Sequence, residues 1–397
     1  MRILHTSDWH LGRSFHRADL LGHQAAFVDH LLEVVVSEGV DLVVVAGDVY
    51  DRALPPVDAV RLADDAIARL AATPARVVVS SGNHDSARRL GFGARVMDAA
   101  GVHVRTDPAG VGVPVLVDDR HGPVAVHALP YLDPDAVREP WGLPARSHEA
   151  ALGAAMQRVR ADLSGRPGTR SVVLAHAFVA GAQPSESERD IAVGGVDRVP
   201  TSVFDGVDYV ALGHLHSPHV LDDRLRYSGS PLAYSFSEAA QTKGSWLVDL
   251  AADGSVRAEL VPAPVPRPLA RLRGTLEDLL ADPTLAGHED AWVQATLTDP
   301  VRPRGAMERL RRRFPHALVL GFESSDRPAG LPPRPTAGRG AHDVTLDFVS
   351  FVRGTAADTA EAALLATACE ACTGDREADP VAGPVAGPLE GPVEVAG

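Results

Sequence analysis

Five short apolar runs, each ending in a cluster of metal-ligating residue types, constrain this 397-residue chain more than any other feature of it. Ile3–Thr6, Leu42–Ala46, Val77–Ser80, Val172–Ala175 and Val207–Leu212 are rich in β-branched and apolar residues, the pattern of buried strands. They lead into Asp8-Trp9-His10, Gly47-Asp48-Val49-Tyr50-Asp51, Gly82-Asn83-His84-Asp85, Ala175-His176 and Gly213-His214-Leu215-His216. Helical patterns lie between them, for example Leu20–Ser37 after Asp19 and Val57–Ala71 entered through Pro55-Pro56. Such alternation specifies an α/β fold, whose ligands bind at the carboxyl ends of the strands. The clusters are therefore expected to converge on one edge of the sheet.

Asp8, His10, Asp48, Asn83, His176, His214 and His216 among them, two Asp, one Asn and four His, make a mixed oxygen and nitrogen set suited to divalent transition metals. A pair of such ions is a common device for clamping the attacking and leaving oxygens of a phosphoester displacement. Asp48, after a glycine that permits a tight turn, is placed to reach both ions. Asp8 and His10 are two residues apart, as are His214 and His216, so each pair can face one side of an extended turn. Singly, each cluster has a plainer reading. An isolated Asp-x-His occurs by chance, a lone histidine after a buried strand is usually a hydrogen-bonded core residue, and the glycines could mark turns. Five clusters, each closing an apolar strand, are a different matter, and they specify a metal site.

Past residue 260 the pattern changes. Val261–Pro268 has proline at every second position from Pro262, which reads as a stiff linker and a domain boundary. Beyond it, Leu269–Gly274, Ala291–Thr298 and Ala317–Glu323 read as strands, Thr275 with Asp278 as a helix-opening capping pair, and Gly305–Phe314 as a basic helix. A Pro- and Gly-rich loop (328–340) precedes the apolar run Val344–Val352. Asp358–Cys372 has the spacing of one amphipathic helix, and the Val-Ala-Gly-Pro repeats after it read as a disordered tail.

The formal charge of −14 would ordinarily count against a nucleic-acid partner, but it is uneven: residues 265–340 hold 12 Arg against 9 acids, and 341–397 hold 2 against 10. Bound cations also reverse the local field of a carboxylate site, so the global charge excludes little. Two cysteines cannot staple a chain this long, which counts against a disulfide scaffold and suits a reducing compartment. No apolar run approaches the ~18 residues of a membrane span, and no signal-peptide core follows Met1; a cytoplasmic protein without a membrane partner is expected. Arg88, Arg89 and the helix arginines Arg309, Arg311, Arg312 and Arg313 are candidate phosphate contacts, although such runs are usually solvated faces. Cys369 and Cys372 form a C-x-x-C without a second pair, which does not make a zinc site.

The ordered set D-x-H, G-D-x-x-D, G-N-H-D, H, G-H-x-H resembles that of the calcineurin-like metallophosphoesterases. Further segments narrow the resemblance: Ser7–Arg13, Gly47–Arg52, Gly82–Ser86, Ser185–Arg189 with Val193-Gly194-Gly195, Gly213–Pro218, Arg226–Pro231 and Ser235–Glu238. They are similar to those of the SbcD-type nuclease subunits of bacterial SbcC–SbcD exonucleases, over most of residues 1–250.

The resemblance implies an α/β fold, a layered metallophosphoesterase sandwich with a small α+β capping domain and a C-terminal helical tail. The corresponding limits are 1–262 for the nuclease domain, 263–350 for the cap, 351–373 for a partner-binding helix and 374–397 for a disordered tail. It implies one metal on Asp8, His10, Asp48 and His216 and a second on Asp48, Asn83, His176 and His214. Mn2+ is the implied ion, with Mg2+ a weaker substitute, while the ligand types alone also admit Fe or Zn. His84 is implied to stabilise charge or protonate the leaving oxygen, with Asp51 orienting it. The implied activity is double-strand 3′–5′ exonuclease and single-strand or hairpin endonuclease cleavage of DNA ends. It is exerted as a homodimer with an SbcC-type coiled-coil ATPase. Two other readings fit the same fold, a small-molecule phosphodiesterase or phosphatase and a non-catalytic DNA-end scaffold. The cap and tail count against the first, and the intact ligand set counts against the second.

Overall fold

A computed structural model describes residues 1–181, 185–188, 199–323 and 339–377, with side chains to 372. Arg189, the Val193–Gly195 segment, most of the Pro- and Gly-rich loop and nearly all of the Val-Ala-Gly-Pro tail lie outside the described residues.

The strands are Arg2–Thr6 (β1), a small hairpin of Ser14–Phe15 (β2) and Ala18–Asp19 (β3), Leu42–Ala46 (β4), Arg76–Ser80 (β5), Val102–Arg105 (β6), Val115–Asp119 (β7) and Gly122–Ala128 (β8). They continue with Arg170–His176 (β9), Tyr209–Gly213 (β10), His219–Val220 (β11), Leu225–Tyr227 (β12), Gly244–Leu250 (β13) and Val256–Pro262 (β14). Two six-stranded sheets result, ordered β14-β13-β1-β4-β5-β6 and β11-β12-β10-β9-β8-β7. The expected single sheet edge is thus divided between two sheets. Nothing in an all-apolar strand says which sheet it joins, because both of its faces are buried in either case. The α/β class and the layered sandwich are as expected.

The pairings β1–β4, β4–β5, β8–β9 and β9–β10 are parallel, so within each sheet these strands direct their carboxyl ends the same way. Ile3, Leu42, Val44 and Val78 of the first sheet share a core with Val126, Val172, Leu174, Tyr209 and Ala211 of the second. Alternate residues face outward to helices. Leu4, Val43, Val45, Val77 and Val79 pack beneath Leu21–Ser37 (α1) and Val57–Ala71 (α2). Val173, Ala175, Val210 and Leu212 share the core of Pro134–Trp141 (α5) and His148–Ser164 (α6). Between these helix pairs lie the single turns Ala87–Leu90 (α3) and Ala94–Met97 (α4). Asp19 receives the Leu21 N–H at 2.9 Å at the entrance of α1, and Ser147 caps α6 by accepting the Ala150 N–H at 3.2 Å.

The proline stretch differs from its reading as a linker throughout. Val261 and Pro262 close β14, where Pro262 stands opposite Gly244. The strand lies at the sheet edge, the one place where a missing N–H leaves no ladder bond unmade. Beyond it, Leu269–Gly274 (β15), Trp292–Leu297 (β16) and Ala317–Phe322 (β17) form a three-stranded sheet in that order, with helices Leu276–Ala281 (α7) and Ala306–Arg313 (α8). Thr275 accepts the Asp278 N–H at 3.2 Å, as its spacing suggested. The apolar run near 344–352 belongs to helix Ala341–Arg353 (α9), and the C-terminal helix spans Thr359–Glu377 (α10).

By contacts the chain forms two compact units. One holds Met1–Leu272, Asp282–Ala295 and Leu310–Val319; the other holds Arg273–Ala281, Thr296–Arg309 and the chain from Leu320 onward. Among the described residues no helix is long and apolar enough to cross a membrane.

Candidate metal centre

Every residue of the candidate ligand set sits at or just after a parallel strand. Asp8 and His10 follow β1, Asp48 follows β4, and Asn83 and His84 follow β5; His176 ends β9, while His214 and His216 follow β10. The turns that place them are strained. Asp8, His10, Asp48 and His214 have φ of 54°, 46°, 52° and 110°, a region side chains avoid at a cost of order 1–3 kcal/mol each. Main-chain bonds hold two of these turns together: the Asp8 N–H donates to Gly47 O and the His10 N–H to Asp48 O, both at 3.0 Å. Gln24, buried on α1, donates to His10 O at 2.8 Å and accepts the Gly12 N–H at 3.0 Å.

Close approach is what the glycines supply. A Cβ on Gly213 would lie 1.9 Å from Ala46 O, and one on Gly82 would lie 2.1 Å from Asp48 Oδ1. A side chain at Gly213 would keep the strand ends of the two sheets apart, and one at Gly82 would displace Asp48 from its place beside the β5 turn.

Asp48 stands in the middle. Its Oδ2 is 3.4 Å from His176 Nε2, 3.7 Å from His10 Nε2 and 3.9 Å from His84 Nε2, and its Oδ1 accepts the His84 N–H at 2.9 Å. Asp8 accepts the His214 N–H at 3.1 Å, and His10 Nε2 faces His216 Nε2 at 3.0 Å. Asn83 Oδ1 is 2.9 Å from His176 Nε2 and 3.3 Å from His214 Nδ1. The seven candidate ligands therefore meet at one place. Three buried groups, Asp8/His10/His216, His10/Asp48/His84 and Asp8/Asp48/His176, each bring donor atoms within 4.8 Å of one another.

The electrostatics suit cations. Burial drives the His10 and His214 imidazoles well below the ordinary histidine range, so both present neutral rings with lone pairs. Burial also pushes Asp8 up to about 6. Burial works against ionisation of Asp48 as well, but His176, His10 and His84 around it hold its carboxyl well below the usual range. Burial likewise opposes charge on His176, and there the Asp48 carboxylate prevails, raising it to about 9. His176 Nδ1 donates to Ala46 O at 2.9 Å, which turns Nε2 toward Asp48. Among the described residues, the His10 Nδ1 and Asn83 Nδ2 atoms are buried without a hydrogen-bond partner. Two facing imidazoles, a central carboxylate and an amide oxygen fit a divalent pair of borderline softness.

His84 is placed differently from its expected support. Its Nδ1 donates to the main-chain carbonyl of Asp51 at 2.6 Å, so the orienting contact uses backbone and not the Asp51 carboxylate. That carboxylate lies 3.7 Å from Arg13 Nε and 4.0 Å from His10 Nδ1. Of the candidate DNA contacts, Arg88 and Arg89 are exposed, and Arg89 donates to Ala53 O at 3.2 Å. Arg309 pairs with Glu277, Arg313 with Glu289 at 3.0 Å, and Arg311 donates to Ala317 O at 3.1 Å; Arg312 is exposed.

Three supporting residues had no role in the sequence reading. Asp85 accepts the N–H groups of Gly82 at 2.9 Å, Tyr50 at 2.9 Å and Val49 at 3.2 Å, tying the Asp48 turn to the Asn83 turn. Its burial, then the neighbouring Asp48, raise it to about 7. Tyr234 packs its ring 5.4 Å from His10 and 5.7 Å from His216 and donates to Trp9 O at 2.5 Å. Gln24 is the third. Asp85 was visible beside Asn83-His84, whereas Gln24 and Tyr234 carried no local signal.

A calcineurin-like phosphoesterase model matches residues 1–218, more than half of the chain. The chain belongs to the calcineurin-like phosphoesterases. A second model, the type 5 capsule protein repressor C-terminal domain, matches residues 265–347. The two matches in this order are those of an SbcD-type nuclease subunit. Among solved structures, the chain is similar to TT1561 of Thermus thermophilus, at 13% identity over 65% of this chain and 98% of that one, with a TM-score of 0.37. It is also similar to GAP50, the anchor in the inner membrane complex of Plasmodium, at 11% identity over 66% and 84%, with a TM-score of 0.40.

Asp48→Ala is expected to abolish both Mn2+ binding events in a calorimetric titration, because this central carboxylate would serve both ions of a pair held here. Two surviving events would remove Asp48 from that role.

Proposed function

We propose that this phosphoesterase cleaves DNA: a 3′–5′ exonuclease on duplex ends and an endonuclease on single strands and hairpins, working with an SbcC-type coiled-coil ATPase in DNA repair and recombination. The observation that carries the reading is the meeting of Asp8, His10, Asp48, Asn83, His176, His214 and His216 in a chain that also matches the SbcD-type C-terminal domain. On this reading Asp8, His10, Asp48 and His216 hold one Mn2+ and Asp48, Asn83, His176 and His214 the other, with Mg2+ able to replace it. The ions would supply Lewis acidity toward the phosphodiester and an activated water. The first 262 residues form the nuclease domain and 263–350 the cap.

The protein's own part in the chemistry falls to His84. Its Nδ1 proton is committed to the Asp51 carbonyl, and its Nε2 points toward Asp48 at 3.9 Å. Nε2 is thus the atom that carries a proton to the departing oxygen or steadies its charge. Asp51 acts through its carbonyl, fixing the ring. Arg88, Arg89, Arg309 and Arg312 are the proposed phosphate contacts outside the centre. His84→Ala is expected to keep Mn2+ and hairpin binding while lowering hairpin turnover by about 10²–10⁴-fold. The same assay with bis-p-nitrophenyl phosphate separates the readings: a protein that cleaves only the small diester, with or without the ATPase, is not a nuclease.

The proposed homodimer would use exposed apolar surface on the first unit. Phe92 is 83% exposed, Val96 77%, Leu54 67% and Val57 66%, on or beside α2, α3 and α4. A second copy presenting the same patch would bury it through a two-fold contact. Phe92→Glu is expected to convert a dimer to a monomer by light scattering while leaving small-diester cleavage intact; an unchanged mass would place the interface elsewhere.

The partner-binding role is assigned to 351–373. None of the described side chains of α10 is buried, and Leu364 is 71% exposed. The helix meets α9 through Arg353–Glu361 at 2.9 Å and His342 to Ala362 O at 3.0 Å. A short alanine-rich helix of this kind gains most of its stability from tertiary partners. Deleting residues 355–397 should leave Mn2+ binding and small-diester cleavage at their normal level and abolish co-elution with the ATPase. Co-elution at undiminished affinity would place the contact elsewhere.

A further inference from the structure

His216 is held differently from every other candidate ligand. Its main-chain N–H donates to Glu188 Oε1 at 2.8 Å, and its carbonyl accepts Lys243 Nζ at 2.6 Å. Its ring Nδ1 lies 2.5 Å from Ser187 Oγ. Ser187 in turn donates to Glu238 Oε1, and Glu238 Oε2 is 2.6 Å from Lys243 Nζ. Lys243 Nζ also donates to Ser230 Oγ at 3.2 Å and Gln241 Oε1 at 2.9 Å. Glu238 Oε2 accepts the Tyr234 N–H at 3.1 Å, and Arg13 donates to Ser187 O at 2.9 Å. The carboxylate and ammonium are both buried, with side-chain exposures of 0% and 5%.

Proton counting through this chain fixes the ring. A serine hydroxyl has one proton, and Ser187 gives it to the Glu238 carboxylate, so its oxygen accepts from His216 Nδ1–H. The Nε2 atom is then bare and faces His10 Nε2. His176 is oriented by a strand carbonyl, an immobile partner. His216 is oriented by a hydroxyl, a carboxylate and an ammonium, none of which belongs to the rigid sheet end. A buried ion pair is a poor device for stability alone, since well-packed apolar residues commonly replace one at no loss. Here each of the two charges reaches His216, one through Ser187 and one at its carbonyl.

We propose that Ser187, Glu238 and Lys243 are positioning residues for His216, setting the affinity of the Asp8/His10/Asp48/His216 metal seat independently of the Asp48/Asn83/His176/His214 seat. This rests on the two-metal reading above. The sequence offers the connection only in hindsight, because 187, 216, 238 and 243 lie in separate segments.

Calorimetric Mn2+ titration of the full chain tests it. Ser187→Ala should weaken one of two binding events by about 10–100-fold and leave the other unchanged. The double variant Glu238→Leu with Lys243→Met, which removes both charges together, should do the same while keeping its thermal midpoint. Ser187→Thr, which retains the hydroxyl, should restore wild-type affinity. Wild-type affinity at both seats in Ser187→Ala overturns the proposal, as does an equal loss at both seats accompanied by a fallen thermal midpoint. A wild-type protein with no pair of Mn2+ events overturns instead the two-metal reading on which the proposal stands.

Discussion

One buried carboxylate organises this molecule. Asp48 sits at the end of β4 with His10, His84 and His176 directed at it, and these histidines keep its carboxylate ionised in so dry a place. Its backbone is left-handed, its neighbour Gly47 is also at positive φ, and Gly82 has no side chain because Asp48 occupies the space. Across the two sheets, His176 and Gly213 of the second lie against Ala46 and Asp48 of the first.

The parts of the fold legible in the sequence are those set by local pattern. Leu42–Ala46 and Val57–Ala71 have the bounds their residues suggest, and β1, β5, β9, β10 and α1 differ by a residue or two. The division into two sheets was not legible, since β4 and β9 present the same apolar face to any neighbour. Val261-Pro262 misled for a related reason: proline excludes a central strand but not an edge one, and edge position is a tertiary fact. The ligand types were visible because strand-end Asp, Asn and His stand out against apolar runs. Their supports were not. Gln24, Tyr234 and Lys243 are ordinary residues in helix, loop and strand approach until the fold brings them to His10 and His216.

The centre is uneven in its anchoring. On one side, His176 hangs on a main-chain carbonyl and Asp85 clamps three amides, a scaffold made of backbone. On the other, His216 depends on side chains that depend on one another. On the proposal above, substitution at positions far along the chain would alter one half of the site and leave the other half as it was. The strained turns at Asp8, His10, Asp48 and His214 are tolerated because the surrounding contacts over-determine them.

The division of donors between two sheets has a consequence for how the molecule comes into being. Asp8, Asp48, Asn83 and His84 arrive with the first sheet, and His176, His214 and His216 with the second, whose strands are mostly later in the chain. A nascent chain released only as far as β6 has carboxylates but no second-sheet imidazoles, and a chain whose sheets have formed without docking has the donors in two separate places. Hydrolytic capacity therefore belongs to the finished sandwich alone. In a phosphoesterase built this way, the architecture itself delays chemistry until assembly is complete.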